Sequence, residues 1–121
     1  MAEHNDFGRI AEEFIASKYQ KNGYTILARN WRFYPLEIDI IAEKNNEIVF
    51  VEVKARKTDY FGDPIESVSR KKKQFMVKAA NEYLELNQIS KECRFDIAVV
   101  LQKKDGLASE VYVNAFEPYE L

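Results

Sequence analysis

Apolar side chains recur along this chain in two rhythms, and the switches between them mark the elements. Phe7, Ile10, Ala11, Phe14, Ile15 and Tyr19 fall at helical spacing, which predicts an amphipathic helix over Phe7–Lys21. Asn5 and Asp6 suit its N-cap, and Gly23 is placed to stop it. From Tyr24 to Arg32 the pattern changes to a strand, with Asn30-Trp31-Arg32 its weakest part, and Phe33–Leu36, holding Pro35, reads as a turn. Two β-branched runs follow, Glu37–Glu43 and Glu47–Arg56, then a loop over Lys57–Pro64 carrying Gly62 and Pro64. A second helix, capped by Ser67 or Ser69 and reaching about Asn87, buries Val68, Phe75, Met76, Ala79, Ala80, Tyr83 and Leu84. Arg94–Gln102 is a nearly continuous apolar strand, Asp105-Gly106 is a turn signal, and Glu110–Phe116 alternates as an edge strand. The order α-β-β-β-α-β-β predicts an α/β fold with a mixed sheet, the second helix serving as the crossover that parallel strands need.

Within that order the stretch Glu37–Lys54 holds charge where a sheet core wants none. Asn45 and Asn46 tolerate positive φ, so a two-residue loop there is expected. Its register sets Lys44 opposite Glu47, Ile41 opposite Phe50, Asp39 opposite Glu52 and Glu37 opposite Lys54. Opposed residues of an antiparallel pair share a face about 5 Å apart. Strict alternation places Asp39 and Glu52 with Ile41, Ile48 and Phe50, and places Ile38, Ile40, Val49, Val51 and Val53 on the other face. Two unit charges at that separation repel by roughly 3 kcal/mol at an effective dielectric of 20. Such a pair persists when one acid is protonated, when a cation lies between them, or when both reach water. Mg²⁺ suits the second case, since it takes one or two carboxylates and keeps waters or phosphate for the rest. The plain alternative is a solvated strand face with Glu37 salt-bridged to Lys54. Glu12, whose helical neighbours are Gly8, Ala11, Ile15 and Tyr19, is a third acid placed for close approach to the sheet, although a glutamate on a stripe border is usually only that. Glu13 reads as solvated.

Composition narrows the chemistry. With 121 residues, 46% hydrophobic and 31% charged, the chain is expected to form one ordinary globular domain over residues 1–121. A single cysteine, Cys93, excludes an internal disulfide and fits a reducing cytoplasm, while the lone histidine, His4, removes His-rich zinc sites and Ser-His or Cys-His relays from the body of the domain. No apolar run is long enough to span a bilayer, and the first residues do not read as a signal segment, so no membrane role is expected.

The net charge of −2 hides an asymmetry. Between Ala55 and Lys78, seven basic residues (Arg56, Lys57, Arg70, Lys71, Lys72, Lys73 and Lys78) face three acidic ones (Asp59, Asp63 and Glu66), which leaves the rest of the chain at −6. A charge run is usually a solvated face. Arg70-Lys71-Lys72-Lys73, however, falls in the first turn of a helix, where the macrodipole already presents positive potential and a bound phosphate would offset the repulsion. Trp31 with Arg29 and Arg32 would suit stacking or clamping of nucleic acid, against the plainer expectation that the tryptophan is mostly buried.

These residues together carry a resemblance. Asp39 followed by Glu52-Val53-Lys54 looks like the D…ExK signature of the PD-(D/E)XK nuclease superfamily. In order, GRIAEEFIASKY, GYTILARNWR, EIDIIA, FVEVKAR, FGDP and RFDIAVV resemble the YraN-like family of predicted endonucleases, related in fold to archaeal Holliday-junction resolvases. The resemblance spans nearly the whole chain and implies a restriction-endonuclease-like core. It also implies that Asp39 and Glu52, with the Val53 carbonyl as a further ligand, bind Mg²⁺ (or Mn²⁺). Lys54 would orient or help deprotonate the attacking water, Glu12 would assist from the first helix, and Lys72 matches the basic position on the second. Arg32, Arg56, Arg70, Lys71, Lys72 and Lys73 are the expected nucleic-acid contacts. Two departures stand out: Ala11 where the family often has glycine, and Ile38 where the superfamily's named proline would be. The implied function is metal-dependent hydrolysis of DNA phosphodiesters, branched or junction DNA included. The alternative is a non-catalytic nucleic-acid-binding module of the same fold. A junction substrate would favour a homodimer, since two symmetric cuts want two sites.

Overall fold

The structure, a computed structural model, describes residues 2–57 and 68–121, with side chains from Asp6 onward. Helix α1 spans Ala2–Lys21. Strands β1 (Thr25–Phe33), β2 (Leu36–Lys44) and β3 (Glu47–Lys57) follow, then helix α2 (Arg70–Leu86), β4 (Glu92–Lys103), β5 (Gly106–Tyr112) and a 3₁₀ turn over Pro118–Glu120. The five strands lie in sequence order in one mixed sheet, β3–β4 parallel and the other pairs antiparallel. The expected α/β architecture and the α2 crossover are both present.

Each helix covers one face. On the α1 side Ala11, Ile15, Ala16 and Tyr19 pack on Ile40, Ala42, Val49, Val51, Ala98 and Val100. On the α2 side Met76, Ala79, Ala80 and Tyr83 pack on Ile38, Ile41, Ile48, Phe50, Phe95, Ile97 and Val99. That double cover explains why the three central strands read as unbroken apolar runs rather than as alternation. No described helix is long and apolar enough to cross a membrane.

Several boundaries differ from the pattern. Helix α1 begins five residues before Phe7. Asp6 lies inside it, its carboxylate held by Arg9 one turn on at 2.8 Å, and the Asn5 side chain lies outside the described set. Ser69 caps α2, its hydroxyl accepting from the Lys72 N–H at 3.0 Å. The competing Ser67 and most of the Lys57–Pro64 loop lie outside the described residues. Strand β5 starts at Gly106 and ends at Tyr112, not at Phe116. Asn114 takes φ +55° and breaks the strand, after which Phe116 turns inward to stack on Phe95 with ring centroids 5.0 Å apart. The alternation around Glu110–Phe116 came from a strand end and a separate core anchor.

Candidate functional site

The Asn45-Asn46 loop forms as expected, both residues in the left-handed region at φ +51° and +67°. Pairing runs from Lys44↔Glu47 through Ile41↔Phe50 to Ile40↔Val51. There the ladder stops. Instead of a cross-strand pair with Glu52, the Asp39 side chain accepts the Val53 N–H through Oδ2 at 2.8 Å. The strands part, and a carboxylate stands in for the missing backbone acceptor.

The fork has a second cause in β2 itself. Ile38 belongs to the α2-side core and Ile40 to the α1-side core, although residues two apart on a regular strand share a face. Strand β2 therefore turns over at Asp39, and the expected grouping of Ile38 with Ile40 does not hold. Strand β1 does the same beside it. Ala28 and Trp31, three apart, both pack on the α2 side, and between them Asn30 takes φ +51°. The Asn30 side chain lies near enough to Glu12 to favour its charged form, while Arg29 Nη1 holds Glu13 Oε1 at 2.6 Å. Successive side chains 29 and 30 thus both meet α1. The weak strand signal at Asn30-Trp31-Arg32 was the trace of this reversal. An asparagine inside a β run, the residue that best tolerates positive φ, was the clue to a site residue the pattern reading missed.

Four carboxylates converge electrostatically on the fork. Glu52 is only 5% exposed; its Oε2 lies 3.5 Å from Lys54 Nζ and its Oε1 3.7 Å from Lys72 Nζ, across from α2. Burial, then repulsion from Glu52, pushes the Asp39 carboxyl up to about 7, with the Val53 N–H opposing and Glu12 and Glu37 adding to the rise. Burial also raises Glu12, against the stabilising effects of Asn30 and Arg29 and with further repulsion from Glu37 and Glu52. Glu12, Asp39, Glu52 and Lys54 thus form one electrostatic unit. The plain alternative of a Glu37–Lys54 bridge does not form: Glu37 Oε1 lies 3.6 Å from Arg32 Nε on β1, and Lys54 turns to Glu52. Among the described residues no three Asp, Glu, His or Cys side chains close a metal cage. The oxygen donors on offer are the carboxylates of Asp39 and Glu52, with the Val53 backbone on β3 beside Asp39.

The basic residues divide. Of the run at α2, only Lys72 reaches the fork. Arg70 donates to the Leu121 carbonyl, Lys71 lies over the Phe75 ring at 5.8 Å, and Lys73 lies over Phe116 at 5.6 Å. Half-buried Arg56 reaches the Ala55 carbonyl at 3.0 Å. Arg32 leaves its side chain 74% exposed. Trp31 is partly buried, edge-on to Tyr83 at 5.4 Å between ring centroids, as the plainer expectation had it.

A second polar cluster, centred on β4 where Asp96 lies beside Val51 and one residue from the partner of Glu52, also escaped the sequence reading. Asp96, fully buried, accepts from the Tyr19 hydroxyl at 2.6 Å, from Arg94 Nε and Nη2 at 2.9 Å each, and from the Asn114 N–H at 2.9 Å. Every partner is local in space and distant in sequence except Arg94.

Comparison with known proteins agrees on kinship. The model of an uncharacterised protein family, UPF0102, matches residues 11–100, a span that includes Glu12, Asp39, Glu52, Lys54 and Lys72. The chain is 46% identical over 116 residues to a UPF0102 protein of Flavobacterium psychrophilum, covering 96% of this chain and 98% of that one. It is 40% identical over 116 residues to a UPF0102 protein of Christiangramia forsetii, covering 96% of this chain and 98% of that relative. To a UPF0102 protein of Bacteroides thetaiotaomicron it is 40% identical over 118 residues, with 98% of each chain covered. The chain belongs to the UPF0102 family.

Proposed function

We propose that this protein hydrolyses phosphodiester bonds in nucleic acid, DNA foremost, using a divalent cation held at the β2–β3 fork, and that it is a PD-(D/E)XK-type nuclease. One observation carries the reading: two desolvated carboxylates, Asp39 and Glu52, are held at a break in the ladder with two lysines beside them. A fold that wanted only a sheet would have no reason to keep that arrangement. The donor set suits Mg²⁺ or Mn²⁺. It offers hard carboxylate oxygens too few for an all-protein cage, as expected for an ion that keeps waters and a substrate phosphate, and a dication relieves the repulsion that raises Asp39. Bound there by Asp39, Glu52 and the Val53 carbonyl, the ion would polarise the scissile phosphate and acidify a bound water.

The protein's own groups do the remainder. Lys54 Nζ places positive charge at the fork, where it orients the attacking water and stabilises the charge that develops on phosphate. Lys72 supplies a second positive charge from α2. Glu12, whose charged form Asn30 favours, would assist in moving the water's proton. Arg32, Arg56, Arg70, Lys71 and Lys73 would add phosphate contacts that position the strand without reading its sequence, so affinity falls with salt. A second reading has its own support. Both Glu52 oxygens already face lysines and no three-ligand cage exists among the described residues, which suits a module that grips nucleic acid without cutting it.

A panel of branched, linear and single-stranded substrates with Mg²⁺ or Mn²⁺ separates the two. Hydrolysis predicts metal-dependent cleavage that Asp39→Ala and Lys54→Ala each reduce at least about 100-fold. Binding without cleavage under either ion overturns catalysis and favours the module. If calorimetry shows no Mg²⁺ or Mn²⁺ site that depends on Asp39 and Glu52, the metal site itself fails.

A further inference from the structure

The turn that joins β1 to β2 stands at the same end of the sheet as the fork, since β2 begins at Leu36 and Asp39 is only three residues along it. At its tip Tyr34 is 93% exposed. The residues behind it are not loose. Phe33 pairs with Leu36 across the hairpin and stacks on Trp31 at 6.3 Å and 20°, and Trp31 meets the buried Tyr83 edge-on. An aromatic series thus runs from the core as far as Phe33, the residue before the tip, and Phe33 itself remains 38% exposed. Beside it Arg32 leaves most of its side chain in water while loosely paired to Glu37. One exposed tyrosine is common on any surface. Tyr119 is nearly as exposed, at 85%, but its turn is flanked by Glu117 and Glu120, which repel a polyanion. Tyr34 has an arginine two residues before it and an anchored aromatic next to it.

We propose that Tyr34, preceded in the chain by Arg32 and the anchored Phe33, is a stacking platform for an unpaired or splayed base, so that the fork engages nucleic acid whose base stacking is interrupted rather than continuous duplex. The inference rests on the nucleic-acid reading above and gives it a substrate class. In a continuous duplex every base face is already covered, and an aromatic tip has nothing to stack on. An unpaired base offers a free face, and an aromatic side chain accepts it whatever its identity. Five residues of extended chain separate Tyr34 from Asp39, at most about 16 Å. At roughly 3.4 Å per stacked nucleotide, the reacting phosphate lies within about five nucleotides of the captured base.

The test measures binding in EDTA, so that it does not depend on hydrolysis. Labelled DNA with a forked end and a fully paired duplex of equal length are titrated with wild type, Tyr34→Ala and Tyr34→Phe at one salt concentration. The tip is too exposed for either substitution to threaten folding. The platform predicts that wild type prefers the fork, that Tyr34→Ala weakens fork binding about tenfold with duplex binding unchanged, and that Tyr34→Phe keeps wild-type affinity. A fluorescent base analogue at the unpaired position should be quenched by wild type and by Tyr34→Phe, not by Tyr34→Ala. Equal loss on both DNAs, loss on neither (as for a tip that meets a protein), or no fork preference in wild type overturns it. Should the fork effect appear without any Mg²⁺- or Mn²⁺-dependent cutting, hydrolysis alone falls. Should Asp39-dependent cutting appear while Tyr34→Ala changes nothing, the platform alone falls.

Discussion

Asp39 concentrates the tension of the fork in one side chain. Its carboxyl is pushed up from about 3.8 to about 7, first by burial and then by Glu52. Between those values the folded chain retains a proton that the unfolded chain has released. Stability from this group is therefore full below about pH 4 and is lost as pH rises through about 7. Asn at this position keeps an oxygen to accept the Val53 N–H and cannot ionise. Asp39→Asn should thus melt higher than wild type at pH 8 in EDTA, by roughly 4 °C or more, and close to wild type at pH 4.5. Thermal melts at the two pH values decide it, and a variant no more stable than wild type at pH 8 refutes the burial argument. The same substitution should forfeit any stabilisation by Mg²⁺, because the ion and the proton compete for one oxygen pair.

At the scale of elements, the β2–β3 hairpin shows both how far pattern reading reaches and where it stops. The two-residue loop and its register follow from local chemistry, asparagines that accept positive φ between β-branched runs, and the ladder bears this out as far as Ile40↔Val51. Asn45→Val or Asn46→Val should therefore cost about 1–2 kcal/mol in urea unfolding, whereas Asn46→Gly should be neutral or stabilising; equal stability of the valine variants would show that the turn does not set the register. Past Ile40 the reading breaks down, because it assumes that faces alternate without interruption. The reversal at Asp39 and its neighbour Asn30 is a paired irregularity, and no count of periods reveals which residue will swap a backbone partner for a side chain. The candidate acids were legible as misplaced charge. Their geometry was not, and neither was the division of the α2 basic run, which depends on the rotation of that helix over the sheet. The end of β5 misled for a related reason: Phe116 carries a strand-like apolar signal but is buried as an anchor beyond the strand.

Across the whole molecule the least legible feature is the one that joins the most elements. Asp96 on β4 collects Tyr19 from α1, 77 residues away, and the Asn114 N–H beyond β5, while Arg94 reaches on to the Tyr24 hydroxyl at 3.0 Å and to Glu47 at 3.2 Å. Burial, and then the Asp96 charge, pushes the Tyr19 hydroxyl up, so it stays a donor across the working pH range. In sequence Asp96 is merely a polar interruption of an apolar strand, and only the packing of α1 on the sheet supplies its partners. That helix also carries Glu12, about two turns before Tyr19, so the Tyr19–Asp96 bond ties the helix to β4 close to the part that meets the fork. Asp96→Ala leaves Arg94 without its buried counter-charge and should cost about 3–5 kcal/mol. Replacing both partners, Asp96→Leu with Arg94→Met, should recover only the part owed to the unpaired charge, since the Tyr19 hydroxyl and the Asn114 N–H still lose their acceptor. If Glu12→Ala no longer affects metal binding in the double variant while Asp39→Ala still does, α1 is set by the ion pair and not by apolar packing alone. A single variant within about 1 kcal/mol of wild type in urea unfolding would show that Ala11, Ile15 and Ala16 hold the helix without it.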